Sequence, residues 1–144
     1  FSSKWNQVNC KVTDEFPSFM RAAELPDGSF FLTGGELRGK TVNTAYQFMN
    51  GNMTKIMNMY NPRKAHTSVY VQGNVFVFGG FYDKLILNYS EKYDMNTGCW
   101  TQLANMLQCK AYSTPLVYGT NYIFLIGGFS DKKIGKVNIL NIVF

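Results

Sequence analysis

The stretch Val75-Phe76-Val77-Phe78-Gly79-Gly80 decides the fold, because a run of this kind, closed by a glycine pair, occurs three times in the chain. The other two copies are Phe30-Phe31-Leu32-Thr33-Gly34-Gly35 and Ile123-Phe124-Leu125-Ile126-Gly127-Gly128. The glycine pairs are 45 and then 48 residues apart. A period of this length indicates one supersecondary unit repeated along the chain.

Each unit reads as four short strands joined by three loops. A turn precedes every run, and turn residues between β-branched or aromatic stretches indicate hairpins. The turns are Pro26-Asp27-Gly28-Ser29, Gln72-Gly73-Asn74 and Gly119-Thr120-Asn121. Downstream, Tyr46 and Tyr93 are each followed seven residues later by a large side chain, Met53 and Trp100. No stretch shows a sustained helical period.

This pattern resembles the kelch repeat. In that family a glycine pair closes the second strand of a blade, and a Tyr on the third strand and a Trp on the fourth pack between blades. The positions that carry the resemblance are Gly34, Gly35, Tyr46, Gly79, Gly80, Tyr93, Trp100, Gly127 and Gly128. The first repeat departs from the pattern, with Met53 where the family's Trp falls.

The resemblance implies an all-β fold: a kelch-type β-propeller arc of four-stranded antiparallel blades. Residues 1–144 form one partial propeller, with units at about 1–18, 19–63, 64–110 and 111–144, and Trp5 on the last strand of a preceding blade. About twelve strands make half of a six-bladed ring. Since a single sheet cannot bury both faces, blades stack with glycine pairs near the axis. A half ring exposes two apolar faces, so we expect the remainder of the propeller or a neighbouring subunit to cover them.

Composition excludes several classes of protein. Aromatic and charged residues each make up 16% of the chain, which is too aromatic and too weakly charged for disorder. The longest apolar runs, such as Ile123 to Ile126, are four residues long, so no membrane helix is expected. The net charge of +5 is spread singly rather than in the dense stripe of a nucleic-acid protein. Three cysteines without a Cys-x-x-Cys motif favour reduced thiols and a cytoplasmic location.

Catalytic patterns are sparse. His66 is the single histidine, which excludes sites with several imidazole ligands, and its counterparts in the other repeats are taken as Arg21 and Tyr112. We expect His66 to be satisfied locally and the carboxylates to lie mostly at turns. No phosphate-binding loop or nucleophile pattern occurs, so no catalytic residue, cofactor or metal is predicted. Kelch-like enzymes, such as galactose oxidase and sialic-acid epimerases, leave an alternative in which the chain is part of an enzyme whose site lies elsewhere.

The leading interpretation is a non-catalytic scaffold for protein–protein interaction. The resemblance places the loops between second and third strands on the same face as the loops entering the next blade, and it implies cytoskeletal, ciliary or ubiquitin-ligase adaptor roles. Arg and Tyr are frequent interface anchors, and the positive excess favours an acidic partner segment. An alternative prediction for Phe81 and Phe129 is that their side chains fold inward and line the central channel of the propeller. The predicted partner-binding residues are Arg38, Lys40, Tyr60, Arg63, Tyr82, Asp83, Lys84, Asp131 and Lys132.

Overall fold

The computed structural model describes residues 3–5, 15–130 and 138–141. Within these residues the regular structure is β-strand and there is no helix, which confirms the predicted all-β class. The strands form two four-stranded sheets, one three-stranded sheet and two short ribbons. We call the three larger sheets blades 1, 2 and 3.

Every blade is an antiparallel meander. Blade 1 contains β1 (Arg21–Glu24), β2 (Phe30–Thr33), β5 (Ala45–Met49) and β6 (Asn52–Ile56), in that order. Blade 2 contains β7 (Thr67–Val71), β8 (Asn74–Phe78), β11 (Ser90–Asp94) and β12 (Cys99–Leu103). Blade 3 contains β13 (Thr114–Tyr118), β14 (Tyr122–Ile126) and β15 (Asn138–Asn141). The three turns quoted above join the first two strands of each blade, as predicted.

Two small ribbons extend the loops between the second and third strands. The ribbon of blade 1 pairs β3 (Glu36–Leu37) with β4 (Lys40–Thr41), and that of blade 2 pairs β9 (Phe81–Tyr82) with β10 (Leu85–Ile86). The sequence pattern predicts loops at both segments, so the two ribbons are additional strands. The ribbons matter because they hold the exposed turns at their tips in a fixed geometry.

Aromatic and aliphatic side chains fill the junctions between blades. At the first junction the Phe31 ring of blade 1 lies 4.9 Å from the Tyr93 ring and 6.1 Å from the Trp100 ring of blade 2. The Trp100 indole also donates a hydrogen bond of 2.8 Å to the carbonyl of Met57. At the second junction the core contains Val71, Phe76, Phe78, Ile123 and Leu125. The predicted packing of Tyr93 and Trp100 between blades is therefore confirmed.

The glycine pairs lie where the backbone of a connecting loop crosses the end of the second strand. A Cβ on Gly79, which has φ of +58°, would be 2.0 Å from the carbonyl oxygen of Lys110. On Gly34 it would be 2.1 Å from the carbonyl oxygen of Arg63. No side chain fits at either distance, so the close approach itself requires glycine.

The register of blade 1 corrects one predicted equivalence. Tyr93 pairs with Trp100, but the strand partner of Met53 is Phe48, not Tyr46. The hairpin between β5 and β6 has two turn residues, whereas that between β11 and β12 has four. Tyr46 therefore occupies the place of Glu91, two residues before the position that corresponds to Tyr93.

Two other expectations concern the chain around the first strands. The register of β1, β7 and β13 makes Arg21 equivalent to Thr67, so His66 corresponds to Met20 and Ser113 rather than to Arg21 and Tyr112. Trp5 lies in a segment without regular structure, and most of the predicted preceding strand lies outside the described residues. The division of the chain into units stays a prediction.

Candidate interaction face

The connecting loops and the ribbons lie side by side at one end of the blades. Each connecting loop forms a β-bridge with the segment that follows a glycine pair: Ser18 with Glu36, Lys64 with Phe81, and Ala111 with Phe129. The backbone amide of Asp83 also donates a hydrogen bond of 3.4 Å to the Thr41 hydroxyl, joining the two ribbons. We call residues 36–41, 60–65 and 81–86 the loop face.

Six of the predicted partner-binding residues are exposed on the loop face. Tyr60 is 59% exposed and Tyr82 is 42% exposed. The other four exposed residues are Arg38, Lys40, Asp83 and Lys84. Asp131 and Lys132 lie outside the described residues.

Ion pairs reduce the positive charge of this surface below what the sequence suggested. Arg38 Nε lies 2.7 Å from Glu15 Oε2, and Lys64 is paired with Glu36. Lys40 and Lys84 form no ion pair with any residue that the structure describes. The basic excess of the loop face therefore rests on the lysines of the two ribbon tips.

One predicted partner-binding residue, Arg63, is buried and not exposed as that prediction requires. Its side chain is fully buried and its NH2 group lies 2.6 Å from Glu91 Oε1, whose side chain is equally buried. Its NH1 group donates two hydrogen bonds of 3.0 Å, to the carbonyls of Gly79 and Tyr89. Burial lowers the pKa of Arg63, while the charge of Glu91 acts in the opposite direction. Arg63 thus holds the connecting loop to blade 2 and is not available to a partner.

Glu91 is the residue that the sequence analysis missed. Besides Arg63, its carboxylate accepts hydrogen bonds from the backbone amides of Tyr60, at 2.7 Å, and Asn61, at 3.1 Å. It is the second residue of β11 and does not lie at a turn. The available signal was its spacing: Glu91 precedes Tyr93 by two residues, so both side chains share one buried strand face. A carboxylate on such a face requires a buried cation.

A second group of residues forms the inner edge of the loop face. The first strands of neighbouring blades lie against each other. Just before them, Phe19, Ala65 and Tyr112 have positive φ values of 57°, 51° and 58°. The Ala65 amide donates to the Phe19 carbonyl at 3.2 Å, and the Tyr112 amide donates to the Ala65 carbonyl at 2.8 Å. We call these three residues the inner turns; they link the blades in series despite the cost of left-handed backbone.

His66 is buried behind the inner turns. Its Nε2 lies 2.7 Å from the Thr33 hydroxyl, and its Nδ1 has no hydrogen-bond partner among the described residues. Burial, followed by the positive charges of Arg63 and Arg21, lowers the pKa of His66 well below its usual value. The ring is therefore neutral at pH 7, which suits a packed histidine better than a proton donor.

The described residues contain no group of three or more His, Cys, Asp or Glu side chains that could hold a metal ion. None of their segments forms a helix that could cross a bilayer. The exposed chemistry of the face is thus a mixture of aromatic rings and single charges on a fixed frame.

Comparison with protein families identifies one segment. Residues 62–107 match the Kelch motif. The match begins beside Arg63, includes every strand of blade 2 and ends in the loop toward blade 3. The two neighbouring sheets repeat the same antiparallel arrangement, so the fold is that of kelch-type propeller blades.

Proposed function

We propose that these kelch-type blades act as a non-catalytic module that binds a protein partner through the loop face. Kelch repeats generally form an interaction fold. The observation that supports the proposal is the pair of ribbon tips, which present Arg38, Lys40, Tyr82 and Lys84 side by side on blades with filled junctions. Exposed aromatic and basic residues on a rigid frame are typical of binding surfaces.

The partner proposed is an acidic segment of another protein. Lys40 and Lys84 supply exposed positive charge, so association should weaken as salt is added. The proposed setting is cytoplasmic, as a substrate adaptor of a ubiquitin ligase or as a component of a cytoskeletal or ciliary assembly.

The test compares charge reversal on and off the loop face. Lys84→Glu alone and together with Lys40→Glu should reduce the amount of partner that co-purifies from cells, measured by quantitative mass spectrometry. Lys55→Glu is the matched control, because Lys55 is exposed on β6 rather than on a ribbon tip. Equal loss with Lys55→Glu, or loss only with substitutions at the opposite turns of Asn50 and Asn96, would show that the wrong face was chosen.

A second contact is proposed at the outward face of blade 3. Phe76 and Phe78 of blade 2 are buried against blade 3, but no segment that the structure describes covers the corresponding side of blade 3. Its exposed apolar residues are Leu116, Tyr118, Ile126 and Ile139. We propose that the remainder of the propeller or a neighbouring subunit covers them. Sedimentation velocity of the full chain should show association that Leu116→Glu with Ile126→Glu weakens, and a wild-type monomer would contradict the proposal.

A further inference from the structure

Arg21 performs one structural task that does not need an arginine. Its Nε donates a hydrogen bond of 2.8 Å to the carbonyl of His66, which links blade 1 to blade 2. One repeat later the equivalent Thr67 hydroxyl donates 2.9 Å to the carbonyl of Ser113, linking blade 2 to blade 3. A threonine is therefore sufficient for the link, and the terminal guanidinium nitrogens of Arg21 are additional chemistry.

The rest of the guanidinium is held over an aromatic ring. Arg21 Cζ lies 5.7 Å from the centre of the Tyr112 ring, so the side chain spans from blade 1 to the inner turn of blade 3. Arg21 is partly exposed and forms no ion pair with a carboxylate in the described part of the chain. The guanidinium is already held by the hydrogen bond to His66 and by the Tyr112 ring. It therefore loses little conformational entropy when it binds an anion.

An exposed aromatic surface adjoins this cation. The Phe81 ring lies 5.9 Å from the Tyr112 ring and 6.1 Å from the Phe129 ring. Tyr112 is 51% exposed and Phe129 is 57% exposed. Tyr112 also keeps a positive φ, which is costly for a bulky residue, and the backbone hydrogen bond to Ala65 holds it there. We call the rings of Phe81, Tyr112 and Phe129 the platform; its geometry is thus formed before any partner binds.

We propose that Arg21 and the platform of Phe81, Tyr112 and Phe129 bind one Asp or Glu side chain of a protein partner, together with an apolar residue next to it. The guanidinium fork matches a carboxylate in two parallel hydrogen bonds, and the rings cover the apolar neighbour. This inference rests on the proposed function and specifies it further. It assigns the specific contact with the partner to the inner edge of the loop face. Lys40 and Lys84 on the ribbons then contribute only long-range electrostatic attraction.

The test uses phage-displayed random heptapeptides selected on the immobilised full chain. Wild type should enrich peptides in which Asp or Glu adjoins Leu, Ile or Phe. Arg21→Thr retains a hydroxyl able to form the link made by Thr67 but lacks the fork, so this enrichment should disappear while the thermal midpoint stays close to that of wild type. Arg21→Lys should give weakened enrichment, because an ammonium ion lacks the paired donors. If Arg21→Thr fails to fold, Tyr112→Leu replaces it and should lower the affinity of a selected synthetic peptide several-fold.

Other outcomes of this experiment would overturn or change the proposal. Acidic enrichment that survives Arg21→Thr, or no acidic enrichment with wild type, overturns the assignment. Tighter binding of a selected peptide carrying phosphoserine in place of its acidic residue would replace the carboxylate with a phosphate as ligand. Loss of enrichment in Lys40→Glu with Lys84→Glu, but not in Arg21→Thr, would retain the proposed function and reject this inference alone.

Discussion

The connecting loops into blades 2 and 3 are held by different chemistry at equivalent positions. Arg63 donates to the Gly79 carbonyl and pairs with Glu91. Lys110 Nζ donates to the equivalent carbonyl of Gly127 at 3.0 Å and to that of Leu125 at 3.5 Å. Burial lowers the pKa of Lys110. A cation directed at the carbonyls after the second strand is therefore common to both junctions.

The carboxylate is what distinguishes blade 2. Glu91 lies opposite Val77 in the sheet, and the same register in blade 3 places Asn138 opposite Leu125. At the equivalent place in blade 1 the pair is Pro17 and Tyr46, and both are buried. The fold thus accepts a neutral pair in blade 1, a lysine directed at carbonyls in blade 3 and a buried ion pair in blade 2. Blade 2 has the version most sensitive to the loss of one partner.

The largest expected effect comes from Glu91→Gln, which leaves the Arg63 charge buried without its counterion. The free energy of unfolding should fall by about 3–5 kcal/mol, measured by urea denaturation. The double variant Arg63→Met with Glu91→Gln should lose less than the single one, because no charge is stranded. A loss below about 1 kcal/mol for Glu91→Gln would mean that the pair adds little to blade 2.

Truncation of one ring on the covered face of blade 1 and of its equivalent on the outward face of blade 3 extends the comparison to the core. Phe31 in blade 1 and Phe124 in blade 3 hold equivalent positions, but Phe31 is almost fully buried and Phe124 is half-buried. Phe31→Ala should cost about 3–4 kcal/mol and Phe124→Ala about 1 kcal/mol in the same assay. Equal costs would indicate that blade 3 is covered on its outer side in solution.

Lys110→Met tests the junction into blade 3 directly. The substitution removes the donor to the carbonyls of Gly127 and Leu125, which are neutral acceptors, whereas Glu91→Gln removes the counterion of a fully buried arginine. We expect a loss of about 1.5 kcal/mol, smaller than that of Glu91→Gln. If Lys110→Met lowered the free energy of unfolding more than Glu91→Gln does, the junction into blade 3 would depend more on its cation than the junction into blade 2 does.

The last effect concerns pH and is absent at neutral pH. Because the pKa of His66 is well below normal in the folded chain, the unfolded chain binds a proton first as the pH falls through about 6.5. Stability should therefore drop below pH 6.5 by up to about 1.4 kcal/mol per pH unit, and should not depend on His66 above it. His66→Gln should flatten this part of the urea-midpoint profile. An unchanged slope would show that other groups cause it.

The sequence predicted the features that depend on local pattern. Glycine pairs, hairpin turns and alternating strands follow from backbone sterics within a few residues, and the structure confirms the blades they imply. The errors concern residues whose environment is built by distant segments. Arg63 appeared to be a loop residue, yet Glu91, 28 residues away, draws it into the core. Tyr46 was aligned by spacing alone, and spacing does not reveal that one hairpin is shorter. The position of Arg21 over Tyr112 depends on two blades at once and has no local signal.

The short turn at Asn50 and Gly51 shows which insertions and deletions this array tolerates. It has two residues fewer than the turn after Asp94, yet both hairpins keep their inward-facing side chains in phase. Side chains alternate along a strand, so a change of two residues preserves the buried face and a change of one would reverse it. Repeats copied from a common ancestor can therefore gain or lose residues in pairs at this outer turn while the inner turns keep their places.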